Sequence, residues 1–154
     1  MRKSVIAIVG VMLGILCGVI LGGVANASEV SYPDEHYYQR YADNIVAAYE
    51  AACRIQRRPA CNAAEVRQEA YRTAKEEIIP HYKNKGMYAR WKEMIDDPIV
   101  VDLDARCRWV NSYTELQKLA DAEIGYIIKH YPDVVKAAES IPESTLEKLA
   151  KLMQ

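Results

Sequence analysis

The 154-residue chain has no phenylalanine, and it lacks the short motifs that announce a chemistry. There is no Gly-x-Ser-x-Gly, no Gly-x-x-x-x-Gly-Lys, no Cys-x-x-Cys and no Cys-x-x-Cys-His. Their absence removes, in turn, the strained serine elbow of the α/β-hydrolases, the phosphate cradle of nucleotide hydrolases, the dithiol redox centre and covalent haem attachment. The histidines are His36, His81 and His130, and none stands three to five residues from another His or Cys, so the local spacing of a structural zinc site is missing too. No internal repeat or low-complexity tract is visible.

An excess of charge of one sign is also missing. Twenty basic residues face 21 acidic ones, which leaves no basic footprint for a nucleic-acid partner. Acid pairs occur at Glu76-Glu77, at Asp96-Asp97, and at Asp102 with Asp104. A glycosidase needs two carboxyls opposed across a cleft, and neighbours in sequence read instead as solvated helix ends and faces. These observations together predict a chain that is not an enzyme, with no catalytic residue, cofactor or metal.

What is present begins with an export signal. Met1-Arg2-Lys3-Ser4 supplies a basic head, Val5 to Val24 an uncharged apolar run, and Ala25-Asn26-Ala27 the small residues a signal peptidase accepts. The expected division is a signal peptide over 1–27 and a helical domain over 28–154, in the periplasm or secreted. The alternative keeps the segment as a membrane anchor, since about 20 apolar residues span a bilayer. Gly10, Gly14 and Gly18 would then serve self-association of a membrane-anchored regulator. Cleavage removes Arg2 and Lys3, leaving 18 basic against 21 acidic residues, a net charge of −3.

Cleavage also leaves Cys53, Cys61 and Cys107, an odd number for an oxidising compartment. The simplest arrangement is one bridge and one leftover thiol. A Cys53–Cys61 bridge would pin a helix hairpin turned at Pro59. The alternative is Cys53–Cys107, which leaves both sulfurs on interior rows. Cys107, if left over, reads as a small buried hydrophobe.

The remaining chain has the period of helices. Tyr37, Tyr41, Ile45, Tyr49 and Ala52 form one row from Asp34 to about Arg57, with Ala42, Val46 and Cys53 beside it. Asn62 caps a second helix whose inward row is Val66, Ala70, Ala74 and Ile78, and Pro80 is expected to stop it. Residues 81–86 read as a connector in which Gly86 is free to take the left-handed conformation. A short helix follows over Met87 to Asp96, presenting Met87, Trp91, Met94 and Ile95 inward, and Asp97-Pro98 breaks it. Residues 99–109 alternate as a strand does. With no second alternating stretch to pair with, they are read as helix from about Val101, with a bend near Asn111, continuing through Tyr113, Leu116, Ala120, Ile124 and Ile127 to Tyr131. A short helix from Asp133 to Ile141 and a last one beyond Pro142, docked by Leu146, Leu149, Leu152 and Met153, complete the chain. The fold class is therefore all-α, a single compact bundle of five to six helices.

Candidate binding residues come from composition. Of eleven tyrosines, Tyr32, Tyr37, Tyr38, Tyr41 and Tyr49 crowd the start, and Tyr32 and Tyr38 lie beside the buried row, where an amphipathic ring suits a protein interface. The competing reading makes tyrosine the substitute for phenylalanine in the core. Arg54, Arg57 and Arg58 gather at the end of the first helix, favourable to its dipole and available to an acidic partner. The architecture is similar to that of small exported helical proteins with a disulfide, such as the periplasmic immunity proteins paired with type VI secretion amidases. That likeness is of architecture and assigns no residue. The expected function is thus binding of another protein, as an accessory, inhibitor or immunity-type protein. A homodimer is allowed, and membrane contact is expected only if the N-terminal segment is retained.

Overall fold

The computed structural model describes residues 32–154, so the expected signal segment over 1–27 lies outside the described residues. The described chain is all-helical, without a strand, in seven compactly arranged helices. Helix α1 is Asp34–Gln56. Helix α2 covers 63–84 in three contiguous stretches, α-helical Ala63–Thr73, a π-turn over Ala74–Ile78 and α-helical Ile79–Asn84. Then come α3, Tyr88–Asp96, and α4, Pro98–Arg106, which passes into a 3₁₀ turn at Cys107–Trp109. Helices α5 (Tyr113–His130), α6 (Pro132–Ala138) and α7 (Glu143–Leu152) follow.

The helical rows bury as their spacing requires. Tyr37, Tyr41, Ile45 and Tyr49 of α1 meet Val66, Ala70, Ala74 and Ile78 of α2, and Trp91, Met94 and Ile95 of α3 close on them in one continuous core. Trp91 lies parallel to Tyr82 and Tyr88, with ring centroids 5.6 and 6.0 Å away. Helix α7 docks through the fully buried Leu149. Glu77 of α2 holds its outer face, accepting from Thr145 Oγ1 at 2.9 Å and from Lys148 Nζ at 2.7 Å.

Three boundaries differ from the sequence reading. Pro80 does not end α2, because the π-turn just before it widens the backbone and accommodates a ring that would strike the carbonyl four residues earlier. The helix runs on to Asn84, so most of the expected connector is helical. Gly86, at φ 68°, then closes it in a Schellman turn, donating to Lys83 O while Met87 N donates to Tyr82 O. The second difference is at Asp97, whose side chain accepts from Ile99 N and starts α4 at once at Pro98. The third is that the long helix expected through Tyr131 is two helices, broken between Cys107 and Ser112.

That break has two causes. Arg54 Nη2 reaches from α1 to the carbonyls of Cys107, Arg108 and Val110, at 3.3, 3.2 and 3.1 Å, so these oxygens need no helical partner. Ser112 then caps α5, accepting from Glu115 N at 3.2 Å while Glu115 Oε2 accepts from Asn111 N at 3.0 Å, a variant of the reciprocal capping box.

The disulfide joins Cys53 to Cys61, at the turn where Arg57 takes the left-handed conformation with φ 51°. The alternative pairing of Cys53 with Cys107 is thereby excluded. A leftover thiol is not found either, as no cysteine among the described residues is free. Cys107 belongs to a second small core with Ala48 and Ala51 of α1.

Candidate functional site

The α4–α5 hairpin concentrates the exposed apolar side chains of the described residues. The large apolar side chains exposed among the described residues are Ile99, Trp109, Tyr113 and Ile128, and all four lie between the first turn of α4 and the last of α5. Trp109 is the extreme, 78 % exposed on the 3₁₀ turn. The helical spacing of Val100, Leu103, Cys107 and Val110 leaves it off the inward row, and Val110, in extended conformation, is buried as that spacing requires. Tyr113 falls on the inward row by spacing and yet stands exposed in the first turn of α5.

The Arg54 bonds bring the C-terminal end of α1 against this turn. Arg57, Arg106 and Arg108 are all exposed around that junction, and Arg106 is shared with Asp102 at 2.9 Å. The result is a protruding indole on a turn that also carries the exposed Arg108. Trp and Arg are the residue types over-represented among energetically dominant interface positions.

The five residues singled out as candidate contacts are separated by the fold. Arg54 is a structural strut to the 3₁₀ turn. Arg58 donates to Gln56 Oε1 at 2.6 Å and to Met153 O at 3.3 Å, with its guanidinium over the Tyr49 ring. Arg57, at the C-terminal end of α1, is an exposed charge. Tyr32 and Tyr38 lie at the opposite end of α1, half-buried, Tyr32 stacked on His36 with centroids 4.1 Å apart and Tyr38 edge-on to Tyr71 at 5.8 Å. Burial, with Arg40 adding repulsion, holds the His36 imidazole below its ordinary pKa. An open groove near these tyrosines is lined by Glu35, Gln39, Ala64, Arg67, Gln68 and Tyr71. Its charges are already used: Glu35 accepts from Tyr71 Oη and Gln39 Nε2, and Arg67 is paired with Asp43.

Beneath the hairpin lies a pair of acids. Asp104 of α4 and Glu123 of α5 are 2 % and 1 % exposed, contrary to the solvated role expected for Asp104. Both sit at helical core positions, Asp104 between Val100 and Cys107 and Glu123 between Ala120 and Ile127. The two side chains lie close enough to act directly on each other. Oδ1 and Oδ2 of Asp104 and Oε1 of Glu123 receive no N–H or O–H from any other described group. Burial pushes both carboxyls above the ordinary carboxyl range, and the neighbouring Asp104 raises Glu123 further. No histidine meets the pair, and no group of three His, Cys, Asp or Glu suited to a metal occurs among the described residues.

The other acids behave oppositely. Lys83 and Tyr88 hold Asp34 below the ordinary range. Burial works to raise Asp97, but donation from Tyr131, Ile99 N and Tyr126 outweighs it and lowers the carboxyl. No helix among the described residues is long and apolar enough to cross a membrane. No protein family, curated protein or solved structure matches the chain.

Proposed function

We propose that this is an exported helical protein that acts by binding another protein, through the end of the domain where Trp109 protrudes. The observation that carries the reading is Trp109 itself, 78 % exposed on a turn that also carries the exposed Arg108, with the exposed Arg57 at the end of the helix whose Arg54 bonds that turn. A solvent-facing indole has an apolar area that water disfavours, and exposed guanidinium groups suit an acidic rim on a partner with an apolar pocket for the ring. The disulfide supports an oxidising destination. An accessory, inhibitor or immunity-type role belongs to this class, and a second copy of the chain is the self-binding version of it.

The test uses the chain expressed with its N-terminus intact and recovered from the exported fraction. A photo-reactive side chain at position 109 is expected to cross-link to one protein, which then binds the purified chain saturably. Trp109→Ala with Arg57→Glu should weaken that binding at least tenfold while the circular dichroism stays helical, since a buried aromatic anchor is worth about 2 kcal/mol or more. Unchanged binding by the double variant would overturn the reading, and so would association only with anionic vesicles. A mature mass starting at Ser28 is expected. An intact Met1 in the membrane fraction would favour the anchored regulator.

A further inference from the structure

Two acids buried side by side, on helices joined by a short turn, need something to hold them there. Each of α4 and α5 places one carboxyl at a core position, the two groups act directly on each other, and both oxygens of Asp104 and Oε1 of Glu123 are buried without a donor. The lone pairs that face no donor would be unsatisfied if both groups were ionised, and two adjacent carboxylates out of water repel one another. One proton removes both problems. We infer that Asp104 and Glu123 form a proton-binding site in which the carboxyl of Glu123 donates to the carboxylate of Asp104, so that α4 closes on α5 with one proton held between them.

The charges around the pair do not replace that proton. From α1, Arg40 is the cation that acts on Asp104. It is already engaged by Asp96 of α3, with Nη1 to Oδ1 at 2.8 Å, and by Ile95 O at 2.6 Å. Asn44, one turn further along α1, is neutral, and Asp43 is paired with Arg67 of α2. On α4 itself Asp102 and Arg106 pair with each other on the exposed side. Asp97 is taken up by the hydroxyls of Tyr126 and Tyr131 at 2.8 and 2.6 Å. From α6, Asp133 is held by Arg90 of α3 at 3.0 Å. The charged residues of α5 near Glu123, Asp121 and Lys118, are exposed.

The proton is taken from solvent as the hairpin closes and returned when it opens. The folded chain therefore binds more protons than the unfolded chain at every pH above the ordinary carboxyl range and below the raised one. In that window stability falls as pH rises, by up to about tenfold in the folding constant per pH unit for one proton. His36 has the opposite sign, because its lowered pKa makes stability rise with pH up to the ordinary imidazole value. Comparison of variants at fixed His36 cancels it.

The experiment is urea unfolding of the full chain and of Glu123→Gln between pH 5 and pH 9, with infrared spectra of both at pH 7. Glutamine keeps a donor for Asp104 without a titrating proton. The expected result is a folding constant that falls with pH in the natural chain, a shallower fall in Glu123→Gln, and a protonated-carboxyl stretch at pH 7 that the variant lacks. Equal pH slopes would overturn the inference, as would the absence of a protonated-carboxyl stretch from the natural chain at pH 7. If Glu123→Gln fails to fold, the infrared spectrum of the natural chain and the slope of Asp104→Asn decide the question. None of these readouts depends on what Trp109 binds, so this site and the proposed docking function fail separately.

Discussion

Tyrosine in this chain does what phenylalanine would do and more. The Tyr37 hydroxyl donates to Asp96 at 2.6 Å, Tyr71 to Glu35 at 2.5 Å, Tyr88 to Asp34 at 2.8 Å, and Tyr126 and Tyr131 both to Asp97. Each ring packs on the core or its margin while its hydroxyl ties one segment to another. This favours the core reading of the tyrosines over the exposed patch. Tyr82 is the exception, a fully buried ring whose hydroxyl meets no partner. An orphaned buried hydroxyl costs about 1 kcal/mol, so Tyr82→Phe is expected to raise the melting temperature by about 4 °C for a domain of this size. Tyr131→Phe removes a bond to a carboxylate and is expected to destabilise by about 1 to 2 kcal/mol. Thermal unfolding followed by circular dichroism checks both, and a loss of stability in Tyr82→Phe would show that its hydroxyl is satisfied.

At the scale of elements, the break between α4 and α5 determines which side chains reach the surface. Without it, Tyr113 would continue the inward row of Val100, Cys107 and Val110, as the spacing alone predicts. Ser112 closes the break by capping α5, and Ser112→Ala is expected to cost about 1 kcal/mol, read as a lower urea midpoint with an unchanged slope. A raised slope would mean that the cap also shapes the unfolded chain. The sequence reading runs the helix through this position, although Ser112-x-x-Glu115 has the spacing of a capping box. Arg54 was not legible, because a side chain bonding to carbonyls 53 to 56 residues away leaves no mark in local pattern. Asn62, Gly86 and the rows of α1, α2 and α3 were legible because each follows from local chemistry. Pro80 misled because the rule that proline stops a helix assumes an α-turn before it, and a π-turn supplies the room. The acid pair was half legible. Glu123 interrupts the apolar row Ala120, Ile124, Ile127, but an acid at a core position is explained only by the partner across the interface.

At the scale of the whole molecule, α1 and α2 form the most extensively packed pair among the described helices. Arg40, Tyr37 and Arg54 tie α1 to α3 and to the 3₁₀ turn, and Glu77 ties α2 to α7. The segment that returns the chain from α1 to α2 contains Arg57 in a left-handed conformation that favours glycine. It is closed by the Cys53–Cys61 bridge, eight positions apart in sequence. Closing so short a loop removes about 2 to 3 kcal/mol of entropy from the unfolded chain, against a total stability on the order of 5 to 15 kcal/mol. The bridge should therefore stabilise without being required for the helices to form. The double variant Cys53→Ala with Cys61→Ala is expected to keep its helical dichroism at 25 °C and to lose about 2 to 3 kcal/mol in guanidinium unfolding. If it were unfolded at 25 °C, the α1–α2 packing would be too weak to hold the hairpin alone. An unchanged midpoint would mean that this packing already restricts the loop in the unfolded chain as tightly as the sulfur bond does.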